Sequence, residues 1–191
     1  MTHRILLLTT ARSYRGGAFL QAAACLGIEI VQVIDMAHEL ADYWRYPLGV
    51  NFNDTEAAVR TIREFHARQP VQAILGIDDS GTLLAARASE QLGLPYNSPV
   101  AALAARDKHM MRTLMAAGGV PCPTFRRFTT ADDPQGVAAQ VDYPCVVKPL
   151  NLNGSRGVIR ADNPAALVAA VERLAQMLQQ ELPDGQPKPY L

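Results

Sequence analysis

Blocks of apolar residues alternate with amphipathic stretches along the first hundred positions of the chain. Short uninterrupted apolar runs are typical of strands that are buried on both faces of a parallel sheet. The runs that predict strands are Ile5–Thr9, Ile28–Ile34, Val71–Ile77 and Leu94–Tyr96. Helical spacing of apolar residues lies between these runs, so the pattern predicts a β-α-β-α-β-α-β domain of the α/β class.

Residues that suit helix ends mark the predicted helices of this first half. The predicted boundaries are a helix start at Ala18, a capping box formed by Asn53 and Glu56, and a cap at Asp79 or Ser80. The stretch Ala41–Leu48 contains Tyr43, Trp44 and Tyr46 and is predicted to be irregular; packing is favoured over a substrate-side loop or a domain-contact patch.

The pattern changes near Pro99, after which the elements become shorter and less regular. Ala101–Ala117 predicts one or two helices with an interruption around Asp107. Three strands are predicted after them, at Thr124–Phe128, Cys145–Lys148 and Gly157–Arg160. Two helices are predicted, one at Asp132–Gln140 and one that follows a cap at Asn163. A polar turn at 183–187 and a strand that begins at Tyr190 end the pattern. This arrangement predicts a small α+β unit that follows the α/β domain.

Composition narrows the functional classes without naming one. The chain has 191 residues, 49% of them apolar and 19% charged, with a formal net charge of zero. This balance argues against nucleic-acid or membrane-surface binding driven by bulk charge. No apolar run approaches the roughly 20 residues that a membrane span needs. The three cysteines have neither metal nor disulfide spacing, so we predict a reducing cytoplasm and no metal site on this chain.

Most of the candidate chemistry lies in Tyr143–Pro149 and in Asn153–Val158, which follows it. The pattern predicts a buried strand that ends at Lys148, a turn of small residues and a second strand. A lysine beside the exposed N–H groups of a turn suits a polyphosphate. The segment is not a P-loop, because that motif places its lysine after the glycines. Two structural alternatives stay open: a solvated lysine at a strand end and an ordinary Asn-Gly hairpin turn.

Two further candidates lie at the carboxyl ends of predicted strands in the first domain. Exposed N–H groups in Tyr14-Arg15-Gly16-Gly17 could hold a substrate carboxylate, although a tight turn with a helix start explains the same residues. Asp78 could contact a substrate amine or a metal, although capping of the next helix explains its neighbours. No G-x-G-x-x-G fingerprint is present.

Three features in this order carry a family resemblance. They are the α/β pattern of residues 1–100, the pair Asp107-Lys108 on a helix that ends before Gly119–Pro123, and the Lys148 strand with its turn. The chain resembles the N-terminal portion of the ATP-grasp ligase superfamily. It is most similar to the branch of the carbamoyl-phosphate synthase large chain and the amino-acid ligases, and more distantly similar to biotin carboxylase and phosphoribosylglycinamide synthetase.

The resemblance implies a Rossmann-like pre-ATP-grasp domain over 1–100, a helical linker over 101–120 and an ATP-grasp lid subdomain over 121–191. The C-terminal catalytic subdomain is expected to be absent. The residues that the resemblance assigns to the ATP phosphates are Lys108, Lys148, Asn153, Gly154, Ser155, Arg156 and Gly157. The alternative for Lys108 is that it lies on a solvated helical face and binds no phosphate. Only two glycines lie in the turn, so we expect it to be stiffer than in glycine-rich relatives and to use the side chains of Ser155 and Arg156.

The resemblance also implies a reaction. A carboxylate takes the γ-phosphoryl group of Mg-ATP, and an amine or thiol then displaces phosphate from the acyl phosphate. The implied ligands are ATP, Mg²⁺ and a small carboxylate, with the metal ligands outside this chain, and a homodimer through the first domain is left open. We expect a ligase parent and an inactive fragment. The alternatives are a non-catalytic nucleotide- or metabolite-binding module and one half of a two-chain ligase.

Overall fold

A computed structural model describes residues 3–181 and 187–191 of the chain. The chain divides into two compact units, Met1–Leu103 and Ala104–Leu191. The assignment of functions to 1–100, 101–120 and 121–191 stays a prediction. The predicted polar turn at 183–187 lies outside the described residues except for its last position.

The first unit is built on a four-stranded parallel sheet with the strand order β3-β2-β1-β4. The strands are β1 (Arg4–Thr9), β2 (Glu29–Asp35), β3 (Leu48–Val50) and β4 (Ala73–Gly76). Leu6 of the central strand lies beside Val31 of β2 and Ile74 of β4, and all three are buried. The predicted α/β class is therefore confirmed, and β1 lies inside the sheet between β2 and β4.

Helices cover this sheet and complete its core. They are α1 (Gly16–Leu26), α2 (His38–Tyr43), α3 (Thr55–Arg68) and α4 (Asp79–Leu92), and α5 (Pro99–Arg106) crosses the boundary between the units. Ile62 of α3 and Leu84 of α4 are buried against the sheet in one apolar cluster. Each such side chain contributes about 1.5–3 kcal/mol through its burial.

Two predictions about the elements of this unit are wrong. Leu94–Tyr96 forms no strand, because Gly93 ends α4 in the left-handed conformation and the Leu94 N–H turns back to the Ser89 carbonyl. The stretch Ala41–Leu48 is irregular only over residues 44–47, so the prediction is wrong at its two ends, which belong to α2 and β3. Strand β3 has only three residues, too few to show a period of two.

The predicted helix starts are also corrected. Helix α1 begins at Gly16, before the predicted Ala18. The cap of α3 is Asp54, whose carboxylate accepts a hydrogen bond from the Ala57 N–H, so the capping box at Asn53 is wrong. The N-cap position of α4 is Asp78, and its side chain makes no capping bond. The carboxylate of Asp78 is used elsewhere, in the turn after β1.

The second unit consists of short strands and helices. They are β5 (Phe128–Thr129), β6 (Cys145–Val147), β7 (Ile159–Ala161) and β8 (Pro189–Tyr190), with α6 (Lys108–Ala117), α7 (Pro134–Ala138) and α8 (Pro164–Glu181). Strand β6 pairs antiparallel with β7, and β5 pairs antiparallel with β8. Beyond β6, Lys148 and Leu191 exchange two backbone hydrogen bonds of 2.9 Å. The other elements fall near their predicted positions, but the predicted strand Thr124–Phe128 is wrong except at its last residue, because β5 covers only Phe128–Thr129.

Helix α8 supplies half of the buried residues in the core of this unit. Asn163 accepts a hydrogen bond from the Ala166 N–H, which confirms the predicted cap. Leu167, Leu174 and Leu178 are buried on one face of α8, as their spacing predicts. Among the described helices of the whole chain, none has the length and hydropathy that a membrane span requires.

Candidate functional site

A long connection joins β6 to β7 and contains the predicted turn at 153–157, which we call the 153–157 turn. Gly154, Ser155 and Gly157 in it have positive φ values of 62°, 58° and 70°. The N–H of Arg156 donates to the Asn153 carbonyl, and the N–H of Val158 donates to the Ser155 carbonyl, each over 3.3 Å. Backbone N–H groups in a tight turn of this kind can bind anions.

Packing against α8 holds one side of this turn. A Cβ atom on Gly157 would lie 2.5 Å from Met177 Cε and 2.8 Å from Leu174 Cδ1, so no larger residue fits there without displacement. Arg156 Nη1 also lies 3.0 Å from the Glu181 carboxylate at the end of the helix. The Arg156 side chain is therefore paired with Glu181, while Ser155 remains exposed.

Lys108 lies at the base of the same turn. Asp107 caps α6 by accepting hydrogen bonds from the N–H groups of His109 and Met110, and this places Lys108 in the first turn of the helix. Lys108 Nζ donates to the Leu150 carbonyl over 3.0 Å and to the Leu152 carbonyl over 2.6 Å. The structure thus brings Lys108 into contact with the backbone that directly precedes the turn.

Lys148 stands at the end of β6 and completes a cluster of positive charge. Burial, with a contribution from the neighbouring Arg112, lowers the pKa of Lys148. Burial and the charge of Lys148 lower the pKa of Lys108, while Asp107 opposes this shift. Lys108, Lys148 and Arg112, which we call the cation cluster, repel one another, and a bound anion would relieve that repulsion.

A cavity of about 570 Å³ in the second unit adjoins this cluster. Its lining includes Lys148 and Arg112 and also the side chains of Val146 and Val158, which are 49% and 45% exposed. Sequence reasoning missed the two valines, although Val146 lies between the inward-facing Cys145 and Val147 in a strand of period two. An apolar wall beside cations suits a ligand that carries an apolar ring and an anionic chain.

A second turn, residues 10–15 of the first unit, is built around the Asp78 carboxylate. Asp78 Oδ2 accepts hydrogen bonds from the Thr10 N–H over 2.9 Å and from the Thr9 hydroxyl over 3.0 Å, and Oδ1 accepts from the Ser13 hydroxyl over 2.8 Å. Burial alone would raise the pKa of Asp78, but these hydrogen bonds outweigh it, and the pKa is lowered. The carboxylate thus has a structural task in the free protein, while its predicted contact with a substrate stays a prediction.

The neighbouring predicted residues surround the start of α1. Tyr14 is 86% exposed, and the Arg15 guanidinium donates to the Tyr14 hydroxyl and to the Ile77 carbonyl. Gly16 and Gly17 have open space where a Cβ atom would lie. The residues are accessible, and their role towards a substrate carboxylate stays a prediction.

Phosphate groups of a nucleotide fit the cation cluster and the adjoining turn, because both offer positive charge or N–H groups. The described residues do not offer a comparable site for magnesium. Across residues 3–181 and 187–191, no group of three His, Cys, Asp or Glu side chains lies in an arrangement that could hold a metal ion.

Two kinds of sequence match connect this geometry to known proteins. Residues 20–96 match the family model of the ATP-grasp N-terminal domain. The D-alanine–D-alanine ligase of Marinobacter nauticus is 31% identical over 89 residues, which is 46% of this chain and 27% of that ligase. The carbamoyl phosphate synthase large chain of Mycobacterium sp. strain JLS is 31% identical over 90 residues, which is 46% of this chain and 8% of that protein. The chain therefore spans a minor part of these relatives.

A solved structure extends the likeness to most of the chain. The L-amino acid ligase from Bacillus licheniformis superposes with a TM-score of 0.65 at 22% identity, over 91% of this chain and 43% of that one. At this identity the superposition shows a shared fold alone. The family match over residues 20–96 and the curated relatives confirm the resemblance to ATP-grasp ligases, and the superposition extends the shared fold to most of the chain.

Proposed function

We propose that this chain contributes the ATP phosphate-binding lid, and part of the substrate site, to an ATP-dependent carboxylate–amine or carboxylate–thiol ligase. The observation that carries the proposal is the cation cluster, of which Lys108 contacts the backbone that leads into a turn of left-handed residues, while Lys148 and Arg112 line the cavity. Lys148 and the N–H groups of Gly154, Ser155 and Gly157 would bind phosphate oxygens, and Val146 and Val158 would contact the base. ATP would supply the phosphoryl group that activates a carboxylate.

The proposed reaction needs groups beyond those described in this chain. Positioning and neutralisation of phosphate charge account for most of the catalysis in phosphoryl transfer, and metal ions supply part of that neutralisation. The described residues offer no cluster for Mg²⁺. We therefore propose that this chain alone does not turn over ATP, and steady ADP production by the purified chain would contradict this part.

The binding proposal is tested by titration of ATP, with and without Mg²⁺, against the amide NMR signals of the chain. We expect shifts at Lys148 and at 153–157, and a loss of about tenfold or more in affinity for Lys148→Met, since a charged hydrogen bond is worth roughly 1.5–3 kcal/mol. Arg68→Met, at the exposed end of α3, removes the same charge as a control. Equal affinities in the wild type and Lys148→Met, or no shifts at millimolar ATP, would overturn the proposal.

A non-catalytic nucleotide-binding module is the alternative that the described residues also allow, because they offer a phosphate site without a metal site. Joining the chain to a relative's C-terminal portion separates the two. Ligase activity that depends on Lys148 supports the first reading, whereas ATP binding without activity supports the module.

A further inference from the structure

We propose that Lys108 is a positioning residue that fixes the base of the 153–157 turn before any nucleotide binds. This inference rests on the proposed function, because the turn it organises is the proposed phosphate site. A lysine that only neutralises phosphate charge would have no protein partner to hold in the free chain. Lys108 has two, since its ammonium donates to the carbonyls of Leu150 and Leu152.

The two carbonyls belong to residues that differ in burial and in distance along the chain from the turn. Leu150 is buried and its N–H donates to the Pro189 carbonyl over 3.4 Å, so it belongs to the fixed part of the unit. Leu152 directly precedes the turn and is only partly buried. One ammonium group therefore ties the first residue outside the turn to a buried residue.

The backbone of α6 strengthens this tie. The Lys108 N–H also donates to the Leu150 carbonyl, over 3.4 Å, and Asp107 fixes the first turn of the helix through two hydrogen bonds. The side chain thus starts from a fixed backbone and spans a short gap. Gly157 against α8 holds the far end of the turn, so Lys108 and Gly157 fix its two ends.

Lys148 provides the matched comparison. Within the described residues, its ammonium group donates no hydrogen bond to protein, although it lies close enough to lower the pKa of Lys108. The two lysines therefore have different roles. Lys108 shapes the turn, and Lys148 remains available for the ligand.

Hydrogen exchange of the whole chain without nucleotide tests this division. We expect the amides of Arg156 and Val158 to exchange about three- to tenfold faster in Lys108→Met, because removing a charged donor frees the base of the turn. Lys148→Met is the control and should leave this exchange unchanged. Lys108→Arg should keep the protection, since a guanidinium can donate to two carbonyls.

Equal exchange in Lys108→Met and the wild type would overturn the inference, as would faster exchange in Lys148→Met of the same size. Peptides from α8 report whether the unit stays folded. If Lys108→Met loses protection there too, Lys108→Arg carries the test, and a loose turn in that folded variant contradicts the inference. Because no ATP is present, this result stands apart from the titration that tests the proposed function.

Discussion

The two turns that hold the candidate residues are organised by groups of opposite charge. The 10–15 turn is organised by the Asp78 carboxylate, which accepts hydrogen bonds from one N–H and several hydroxyl groups. The 153–157 turn is organised by the Lys108 ammonium, which donates to two carbonyls. Asp78 has its charge satisfied within the turn, whereas Lys108 has further cations beside it. The 153–157 turn is therefore the better prepared of the two for an anionic ligand.

Substitution of Asp78 should have the largest effect of the changes that test this comparison. Asp78→Ala would leave the Thr10 N–H and two hydroxyl groups without their acceptor. Since hydrogen bonds to a charged group contribute roughly 1.5–3 kcal/mol, we expect the first unit to lose about 3 kcal/mol. Hydrogen exchange of β1 amides measures this loss.

Asp54→Ala serves as the control for that substitution, because it removes a single capping bond worth about 1 kcal/mol. An equal loss in the two variants would mean that Asp78 is no more than another helix-terminal carboxylate.

A methyl group on Gly157 tests the other turn. Gly157→Ala forces a side chain into a left-handed conformation and against Met177, so we expect a loss of about 2–3 kcal/mol in the second unit. Gly154→Ala carries the conformational cost alone, about 1 kcal/mol, because no atom lies within 4 Å of its added Cβ. Denaturant unfolding compares the two.

Met177→Ala in the Gly157→Ala background should recover part of the loss, since the nearest colliding atom is removed. No recovery, together with equal costs at the two glycines, would show that α8 does not hold the turn.

Acid should affect the two turns differently in the wild-type protein. The pKa of Asp78 is lowered in the folded state, so its stabilisation is present above the unfolded pKa of about 3.9 and is lost as the pH falls through the folded value. We expect the wild type to lose more first-unit stability than Asp78→Asn does between pH 5 and pH 2. The protection of the 153–157 turn should not show this difference. Hydrogen exchange, corrected for the intrinsic pH dependence, checks both expectations.

The smallest expected effect concerns the Arg156–Glu181 pair. Both side chains are partly exposed, so Glu181→Gln should cost no more than about 0.5 kcal/mol, and 1 M salt should abolish the difference. Urea unfolding at two salt concentrations measures it. A salt-independent loss well above this size would mean that the pair matters more to the turn than Lys108 does.

Much of the fold could be predicted because long buried strands leave a clear pattern. The strand around Leu6 is an unbroken apolar run and the strands around Val31 and Ile74 are mostly apolar, which is typical of a parallel sheet covered on both faces. The prediction failed where elements are short. Strand β3 has three residues, and Leu94-Pro95-Tyr96 looks apolar but packs as a loop against the core.

The site could be predicted in its composition but not in its contacts. Lys148 and the 153–157 turn follow from a local pattern, since the lysine, the strand and the glycines are neighbours in sequence. The contacts of Lys108 with Leu150 and of Asp78 with Thr10 join residues 42 and 68 positions apart. Such contacts depend on how the elements pack, and no local pattern of residues encodes them.

The cation cluster has a consequence for the speed of binding as well as its strength. Positive charge gathered along a cavity attracts an anion during its diffusional approach, and salt weakens that attraction over roughly 8–10 Å at ordinary ionic strength. Lys148 and Arg112 both line the cavity, so their charges would act on an anion that approaches it. Association rates of a phosphate-bearing ligand should therefore fall steeply with added salt, while its dissociation rate changes much less.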